Sequence, residues 1–251
     1  MKDYSGILIA SDWDGTLFFN NEVNANDIEA IHNFQAGGGI FTLCSGRSYE
    51  YLTNLFDIIH PNTYAITING AKIIHPENKD VLYEGYIDYR VQEMLDRVFL
   101  VERLFDYLEA FFENEVVKYR PDDYLLERDR FVNEKLYKVI MVSDSEEKTL
   151  RAKAMLEGAE YKGYIFVRSW NVSLEILKEE NGKGHAVNRV KKKEGCHTAI
   201  AVGDYENDIQ MLEMADIGYA VGNASETAKA AADRITVPAK EGAIATIIAS
   251  L

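Results

Sequence analysis

Short apolar runs alternate with helix-length segments at both ends of this chain, and that alternation constrains the fold more than any other feature. Residues 7–11 and 40–44 are apolar runs that predict buried strands, with a helical pattern between them. Residues 198–202 and 217–221 repeat the strand pattern near the C-terminus. Helical patterns flank these later runs at 183–193, 207–214, 225–232 and 242–251. Alternating strands and helices predict a mainly parallel sheet with helices on both faces.

The middle of the chain, residues 86–171, differs in composition and is richer in aromatic and acidic residues. It contains helical patterns at 89–102 and 145–158 and strand-like stretches at 116–119, 136–142 and 164–168. These elements predict a smaller mixed α+β domain inserted into the parallel one. We therefore expect one domain from residues 1–85 and 172–251, and a second domain from residues 86–171.

Charge, hydropathy and cysteine usage exclude several classes of protein. A formal net charge of −14 opposes the phosphate backbone, so we expect no nucleic-acid partner. No apolar run reaches the roughly 18 residues that a membrane span needs, which predicts a cytoplasmic protein without a membrane partner. Cys44 and Cys196 have no paired spacing, so we expect two reduced cysteines rather than a disulfide or a zinc cluster.

The sequence Asp-Trp-Asp-Gly-Thr at residues 12–16 directly follows the first predicted strand, where open parallel sheets bind ligands. Asp12 could be a nucleophile and a metal ligand. Asp14 could bind the metal through its backbone carbonyl while its side chain protonates a leaving oxygen. A turn with two solvated acids is the alternative. A calcium-binding loop is excluded, because Leu17 and Val23 occupy the positions where that loop needs Gly and Glu.

Ser45, Gly46 and Arg47 follow the second predicted strand. A hydroxyl, a flexible backbone and the first amides of the next helix can together bind an anion such as phosphate. The alternative is that Ser45 only caps that helix.

Lys183 lies between two glycines at the start of a predicted helix, where the helix dipole disfavours a cation. A lysine that reaches a carboxylate and a phosphate would neutralise both, and this gives the placement a catalytic reason. The alternative is a solvated lysine in a flexible turn.

Acids and amides crowd residues 204–208, directly after the strand predicted at 198–202. Such crowding is costly unless a cation lies among the side chains. Asp204 could complete a magnesium site with Asp12, Asp208 could bind the metal directly or through water, and Asn207 could donate to a phosphate oxygen. A helix capped by Asp204 is the alternative.

In this order, the four motifs resemble those of the haloacid dehalogenase-like hydrolase superfamily. The inserted domain between the second and third motifs, with Asn-Gly-Ala at 69–71 and Gly-Asn-Ala at 222–224, is similar to the Cof-type sugar-phosphate phosphatases. The resemblance spans nearly the whole chain. Two positions depart from the family pattern: Trp13 replaces a smaller aliphatic residue, and Glu-Glu-Asn at 179–181 precedes the third motif.

The resemblance implies an α/β fold, with a Rossmann-like parallel-sheet core and an inserted α+β cap domain. It implies a magnesium-dependent phosphatase that acts on phosphorylated sugars or related metabolites through an aspartyl-phosphate. It assigns the nucleophile to Asp12, the acid/base to Asp14, the phosphate-binding hydroxyl to Ser45, the lysine to Lys183 and the metal carboxylate to Asp204.

Two other functions stay open. A phosphomutase of the same superfamily shares these motifs, and a catalytically inactive protein could bind the same metabolite. A small phosphorylated metabolite is the expected partner, and the chain is expected to be a monomer or a small homo-oligomer. The inserted domain should select the substrate, and its polar cluster is either a substrate-facing site or an ordinary turn. That cluster contains Arg120, Asp122, Asp123 and Tyr124.

Overall fold

A computed structural model describes residues 2–159 and 161–251, and the chain divides into two compact units. One unit consists of Met1–Glu84 and Gly182–Leu251, and the other consists of Gly85–Asn181. Within the described residues, no helix combines the length and the apolar character that crossing a membrane requires.

The helices and strands fall into three consecutive stretches of the chain. The first part of the first unit contains β1 (Ile7–Ser11), β2 (Phe18–Phe19), β3 (Glu22–Val23), α1 (Ala25–Ala36), β4 (Ile40–Leu43), α2 (Tyr49–Thr53), α3 (Phe56–Ile59), β5 (Ala65–Thr67), β6 (Lys72–Ile74) and β7 (Val81–Glu84). The second unit contains α4 (Arg90–Leu95) with a π-helical continuation (Asp96–Val101), β8 (Tyr107–Phe112), β9 (Val116–Tyr119), α5 (Pro121–Glu127), α6 (Arg130–Asn133), β10 (Leu136–Val142), α7 (Glu146–Glu157), β11 (Tyr164–Val167) and β12 (Ser173–Lys178). The last part of the first unit contains α8 (Lys183–Glu194), β13 (Thr198–Gly203), α9 (Ile209–Met214), β14 (Ile217–Ala220), α10 (Glu226–Ala231), β15 (Arg234–Ile235) and α11 (Ala243–Ser250).

A parallel sheet forms the centre of the first unit, with the strand order β15-β14-β13-β1-β4. Its central strands are apolar because both faces are covered: Leu8, Ile9 and Ile200 are fully buried. Parallel strands end at a common edge, so the residues that follow β1, β4 and β13 come close together. The predicted Rossmann-like sheet is confirmed, and its carboxyl edge carries all of the predicted motifs except Lys183, which begins α8.

An antiparallel sheet forms the second unit, with the strand order β11-β12-β10-β8-β9 and a hydrophobic core of its own. Strand β12 pairs with β10 and β11. The predicted boundary at residue 172 therefore differs from the structure, where the first unit resumes at Gly182. The cause is the apolar run near 174–177, which has the pattern of a buried strand in either sheet.

The polar cluster predicted as a possible substrate site is the start of α5. Asp123 Oδ2 accepts a hydrogen bond from the backbone N–H of Arg120 at 3.2 Å, which caps the helix. Tyr124 is fully buried, and its hydroxyl donates to Asp96 Oδ1 at 3.0 Å. These contacts favour the ordinary-turn alternative for this segment.

Candidate active site

The loop after β1 carries Asp12 into a buried position, with 5% of its surface exposed. Gly15 turns this loop with a φ of +88°, and a Cβ there would lie 2.4 Å from Asp204 Oδ2. Glycine is therefore needed both for the left-handed backbone and for the close approach of the carboxylate. Trp13 is buried and stacks on Phe18 at 5.0 Å between ring centroids, so its indole belongs to the packing behind the loop.

Lys183 is the central contact of the site. It is 1% exposed, and its Nζ donates to Asp12 Oδ1 and to Asp208 Oδ1, both at 2.6 Å. Burial alone would lower the pKa of Lys183, but the attraction of Asp12 and Asp208 outweighs it and raises the pKa well above its usual value. The lysine is therefore charged at neutral pH, and the alternative of a solvated lysine in a flexible turn is wrong.

Asp204 joins Asp12 and Asp208 in a cluster of three carboxylates. Asp12, Asp204 and Asp208 each place an oxygen within 4.8 Å of the others. Asp208 Oδ2 accepts from the backbone N–H of Asp204 at 2.9 Å, and Thr16 Oγ1 donates to Asp204 Oδ1 at 3.0 Å. A helix-capping side chain accepts hydrogen bonds from backbone N–H groups, and here the side chain of Asp208 does so. The helix-cap alternative for Asp204 is therefore not supported.

The three acids carry more negative charge than one lysine can balance. Burial raises the pKa of Asp12 well above its usual range; Lys183 opposes this shift, while Asp208 and Asp204 add to it. Burial, followed by repulsion from Asp208, raises the pKa of Asp204 to about 7. Carboxylate oxygens in a buried cluster of this kind are the donors that Mg2+ and Ca2+ prefer. The cluster therefore fits a divalent cation.

Asp14 faces a different partner. Arg47 Nε donates to Asp14 Oδ2 at 2.9 Å, and Arg47 Nη2 donates to Asp14 Oδ1 at 3.0 Å. Both side chains are about half exposed, and the guanidinium lies 4.6 Å from the centre of the Tyr51 ring. The side chain of Asp14 is outside the acid cluster, and its role in proton transfer stays a prediction. Its predicted contact with metal through the backbone carbonyl stays a prediction.

The loop after β4 is held by backbone contacts. Ser45 is buried, its Oγ accepts from the backbone N–H of Arg47 at 3.2 Å, and its carbonyl accepts from the N–H of Asn69 at 2.9 Å. Ser48 is the residue that caps α2, so the helix-cap alternative for Ser45 is wrong. Gly46 lies close to Asn69, because a Cβ there would be 3.0 Å from Asn69 Oδ1.

Asn207 lies beside the acid cluster, in the short 3₁₀-helix Glu206–Asp208. The sequence pattern assigns no role to Thr16, although a hydroxyl two residues after Asp14 is a signal for a contact with a nearby carboxylate. The contacts of Lys183 with two acids and of Arg47 with Asp14 are not predicted by the sequence pattern either. Those contacts connect segments that are remote in sequence.

Comparisons with known proteins identify the family of the chain. The family model of haloacid dehalogenase-like hydrolases matches residues 9–248. The chain is 26% identical to phosphatase YwpJ of Bacillus subtilis, covering 97% of this chain and 99% of that protein. It is 23% identical to the Bacillus subtilis 5-amino-6-(5-phospho-D-ribitylamino)uracil phosphatase YitU, with 96% of each chain covered.

A solved structure of a haloacid dehalogenase-like hydrolase from B. subtilis superimposes with a TM-score of 0.82 at 25% identity, covering 97% of this chain and 99% of that one. The resemblance predicted from the four motifs and the prediction of a phosphatase are thus both confirmed. The chain belongs to the haloacid dehalogenase-like hydrolase family.

Proposed function

We propose that this phosphatase hydrolyses phosphate monoesters of small metabolites, with sugar phosphates as the main class, using Mg2+ and an aspartyl-phosphate at Asp12. The observation that carries the proposal is the buried ammonium of Lys183, which lies 2.6 Å from both Asp12 and Asp208. A lysine in this position balances charge on the nucleophile and on an incoming phosphate.

Asp12 is the proposed nucleophile. Lys183 holds its Oδ1, and the other carboxylate oxygen attacks phosphorus in line with the ester oxygen. The bond from phosphorus to the ester oxygen breaks as the new bond to Asp12 forms. Fixed positions and fixed charges supply most of the rate acceleration in reactions of this kind.

Asp14 is the proposed acid and base. In the first step one oxygen of Asp14 is released from Arg47, carries a proton and gives it to the leaving alcohol; in the second step the resulting carboxylate takes a proton from the water that hydrolyses the acyl phosphate. Its pairing with Arg47 through two hydrogen bonds limits how the carboxyl group can rotate. Arg47 therefore positions Asp14, in addition to the phosphate-binding role predicted for Arg47 with Ser45, Gly46 and Asn207.

Asp12, Asp204 and Asp208 are the side chains that would hold Mg2+, with the backbone carbonyl of Asp14 as a further ligand. When bound, the ion neutralises charge on the phosphoryl oxygens. Within the cluster, three carboxylates face one ammonium, which leaves two negative charges unbalanced when all are ionised. That balance supports a divalent rather than a monovalent ion.

The substrate class rests on local charge and on relatives. A net charge of −14 repels anions at a distance, so Lys183 and Arg47 must supply the local attraction for phosphate. By its name, the relative YitU acts on a phosphoribityl compound, which is a phosphate ester on a polyhydroxylated chain. We also propose a cytoplasmic location, which suits Cys44 and Cys196, both of them free thiols.

The test compares the wild-type enzyme with Asp12→Asn on p-nitrophenyl phosphate and on a panel of phosphorylated metabolites, with Mg2+ or with EDTA. Asp57→Asn, on the exposed face of α3, is the matched control. We expect turnover by the wild type and by the control only with Mg2+, no turnover by Asp12→Asn, and a phosphate adduct on the Asp12 peptide after acid quench. Wild-type rates in Asp12→Asn would refute the mechanism.

The same panel separates the two alternatives. A phosphomutase would move the phosphate to a second hydroxyl of the substrate, so mass spectrometry would find an isomer instead of inorganic phosphate. An inactive binding protein would bind a sugar phosphate without any turnover that depends on Mg2+.

A further inference from the structure

The Gly-Asn-Ala segment at 222–224 has no part in the proposed chemistry, yet its asparagine joins two loops of the first unit. Asn223 follows β14, and its Nδ2 donates to the carbonyl oxygen of Gly15 at 2.8 Å. Its Oδ1 accepts from the backbone N–H of Ala239, also at 2.8 Å. One amide group thus uses its donor and its acceptor to tie the nucleophile loop to the segment after β15.

The tied position lies next to a predicted metal ligand. Gly15 packs directly against the carboxylate of Asp204, and Thr16 donates to that carboxylate at 3.0 Å. The next residue but one, Ser225, holds the other loop, because its backbone N–H donates to the carbonyl oxygen of Asp204 at 2.8 Å. Residues 223–225 therefore hold both loops that supply carboxylates to the cluster.

We propose that Asn223 is a positioning residue that fixes the loop at residues 12–16 against Asp204 and so sets the spacing of the metal carboxylates. The inference extends the proposed function to a residue outside the four motifs. Asn223 is exposed, and its measurable contribution is therefore the placement of the loop rather than the burial of apolar surface.

The chain offers a matched control in Asn62. Its Nδ2 donates to the carbonyl oxygen of Gly39 at 3.0 Å, and its Oδ1 accepts from the backbone N–H of Phe41 at 2.8 Å. Asn62 is exposed as well, and it bridges backbone groups at the amino end of β4, the opposite end of the strand from the site. Asn62→Ala removes the same kind of bridge without touching residues 12–16.

Hydrogen–deuterium exchange in EDTA tests the positioning role without metal or activity. The amides of Gly15, Leu17 and Phe18 are hydrogen bonded within the loop, at 2.8–3.2 Å. Asn223→Ala should speed exchange in the peptide covering residues 12–18 about fivefold, the effect of losing one ordinary hydrogen bond, and should leave residues 37–43 unchanged. Asn62→Ala should speed exchange in residues 37–43 and leave residues 12–18 unchanged. Both variants should lower the melting temperature by a similar amount, because each loses one asparagine bridge.

Calorimetric titration with Mg2+ alone is the second measurement. Asn223→Ala should weaken Mg2+ binding about fivefold, whereas Asn62→Ala should bind like the wild type. Unchanged exchange in residues 12–18, or equal Mg2+ affinity in Asn223→Ala and the wild type, would overturn the inference. A wild-type protein that binds no Mg2+ would instead contradict the metal site of the proposed function, and the exchange pattern would still decide whether Asn223 holds the loop.

Discussion

Replacing Lys183 with methionine tests the contact on which the site depends. Methionine fills a similar length without charge, so Asp12 and Asp208 lose the ammonium that lies 2.6 Å from each of them. Removing one partner of a buried ion pair costs about 3–5 kcal/mol, because the remaining charge has no compensation. We expect the free energy of unfolding of Lys183→Met to fall by about this amount at pH 8 in EDTA.

The loss of stability in Lys183→Met should become larger as the pH rises. Burial already raises the pKa of Asp12, and removal of the opposing lysine raises it further. An acid whose pKa is higher in the folded state makes the fold less stable as the pH rises from the unfolded pKa to the folded pKa, and the penalty is absent only below the unfolded pKa of about 4. The difference in stability between Lys183→Met and the wild type should therefore be largest at pH 8 and shrink toward pH 5.

Urea unfolding followed by circular dichroism, at both pH values and with EDTA or Mg2+, measures these effects. Mg2+ should restore part of the lost stability, because the acid cluster regains a cation. Lys138→Met is the control: Lys138 Nζ lies 2.7 Å from Glu175 Oε2, and each side chain is 1% exposed. This variant should lose comparable stability without recovery in Mg2+. Wild-type stability of Lys183→Met at pH 8, or a loss that ignores both pH and Mg2+, would refute the reasoning.

Two further predictions concern other carboxylates of the first unit. Asp27 is fully buried, and burial raises its pKa to about 6, so ionisation costs about 3 kcal/mol above that pH. Asp27→Asn should therefore unfold at a higher urea concentration than the wild type at pH 8 and lose this advantage between pH 6 and 4. A difference in urea midpoint that stays constant with pH would contradict the raised pKa of Asp27. Arg47→Lys should lower kcat about tenfold with a smaller change in KM, because lysine cannot hold both oxygens of Asp14; unchanged steady-state kinetics would show that Arg47 does not position the acid.

The sequence alone predicted the parts of the fold that depend on local pattern. Apolar runs at 7–11 and 198–202 match β1 and β13, because a central parallel strand is buried on both faces and must be apolar throughout. The motifs could be placed together for the same reason, since the chain after each parallel strand emerges at one edge of the sheet.

Elements that depend on partners remote in sequence could not be predicted in this way. Strands β2 and β3 contain only two residues each, too few to show a periodicity. Strand β12 has an apolar run that suits either sheet, and only its pairing with β10 and β11 assigns it to the second unit. The pair formed by Asp14 and Arg47 joins residues 33 positions apart, and its geometry depends on how two loops meet.

The composition of the acid cluster is better explained by chemistry than by stability. Four ionisable side chains, Asp12, Lys183, Asp204 and Asp208, lie together beside the apolar core of the first unit. Burying charges costs more than their mutual attraction returns in many proteins, and apolar residues of similar volume would pack at least as stably. Burial and repulsion from Asp208 raise the pKa of Asp204 to about 7, which is consistent with that cost. Such a cost is expected of a site whose proposed role is to bind a cation and to transfer a phosphoryl group.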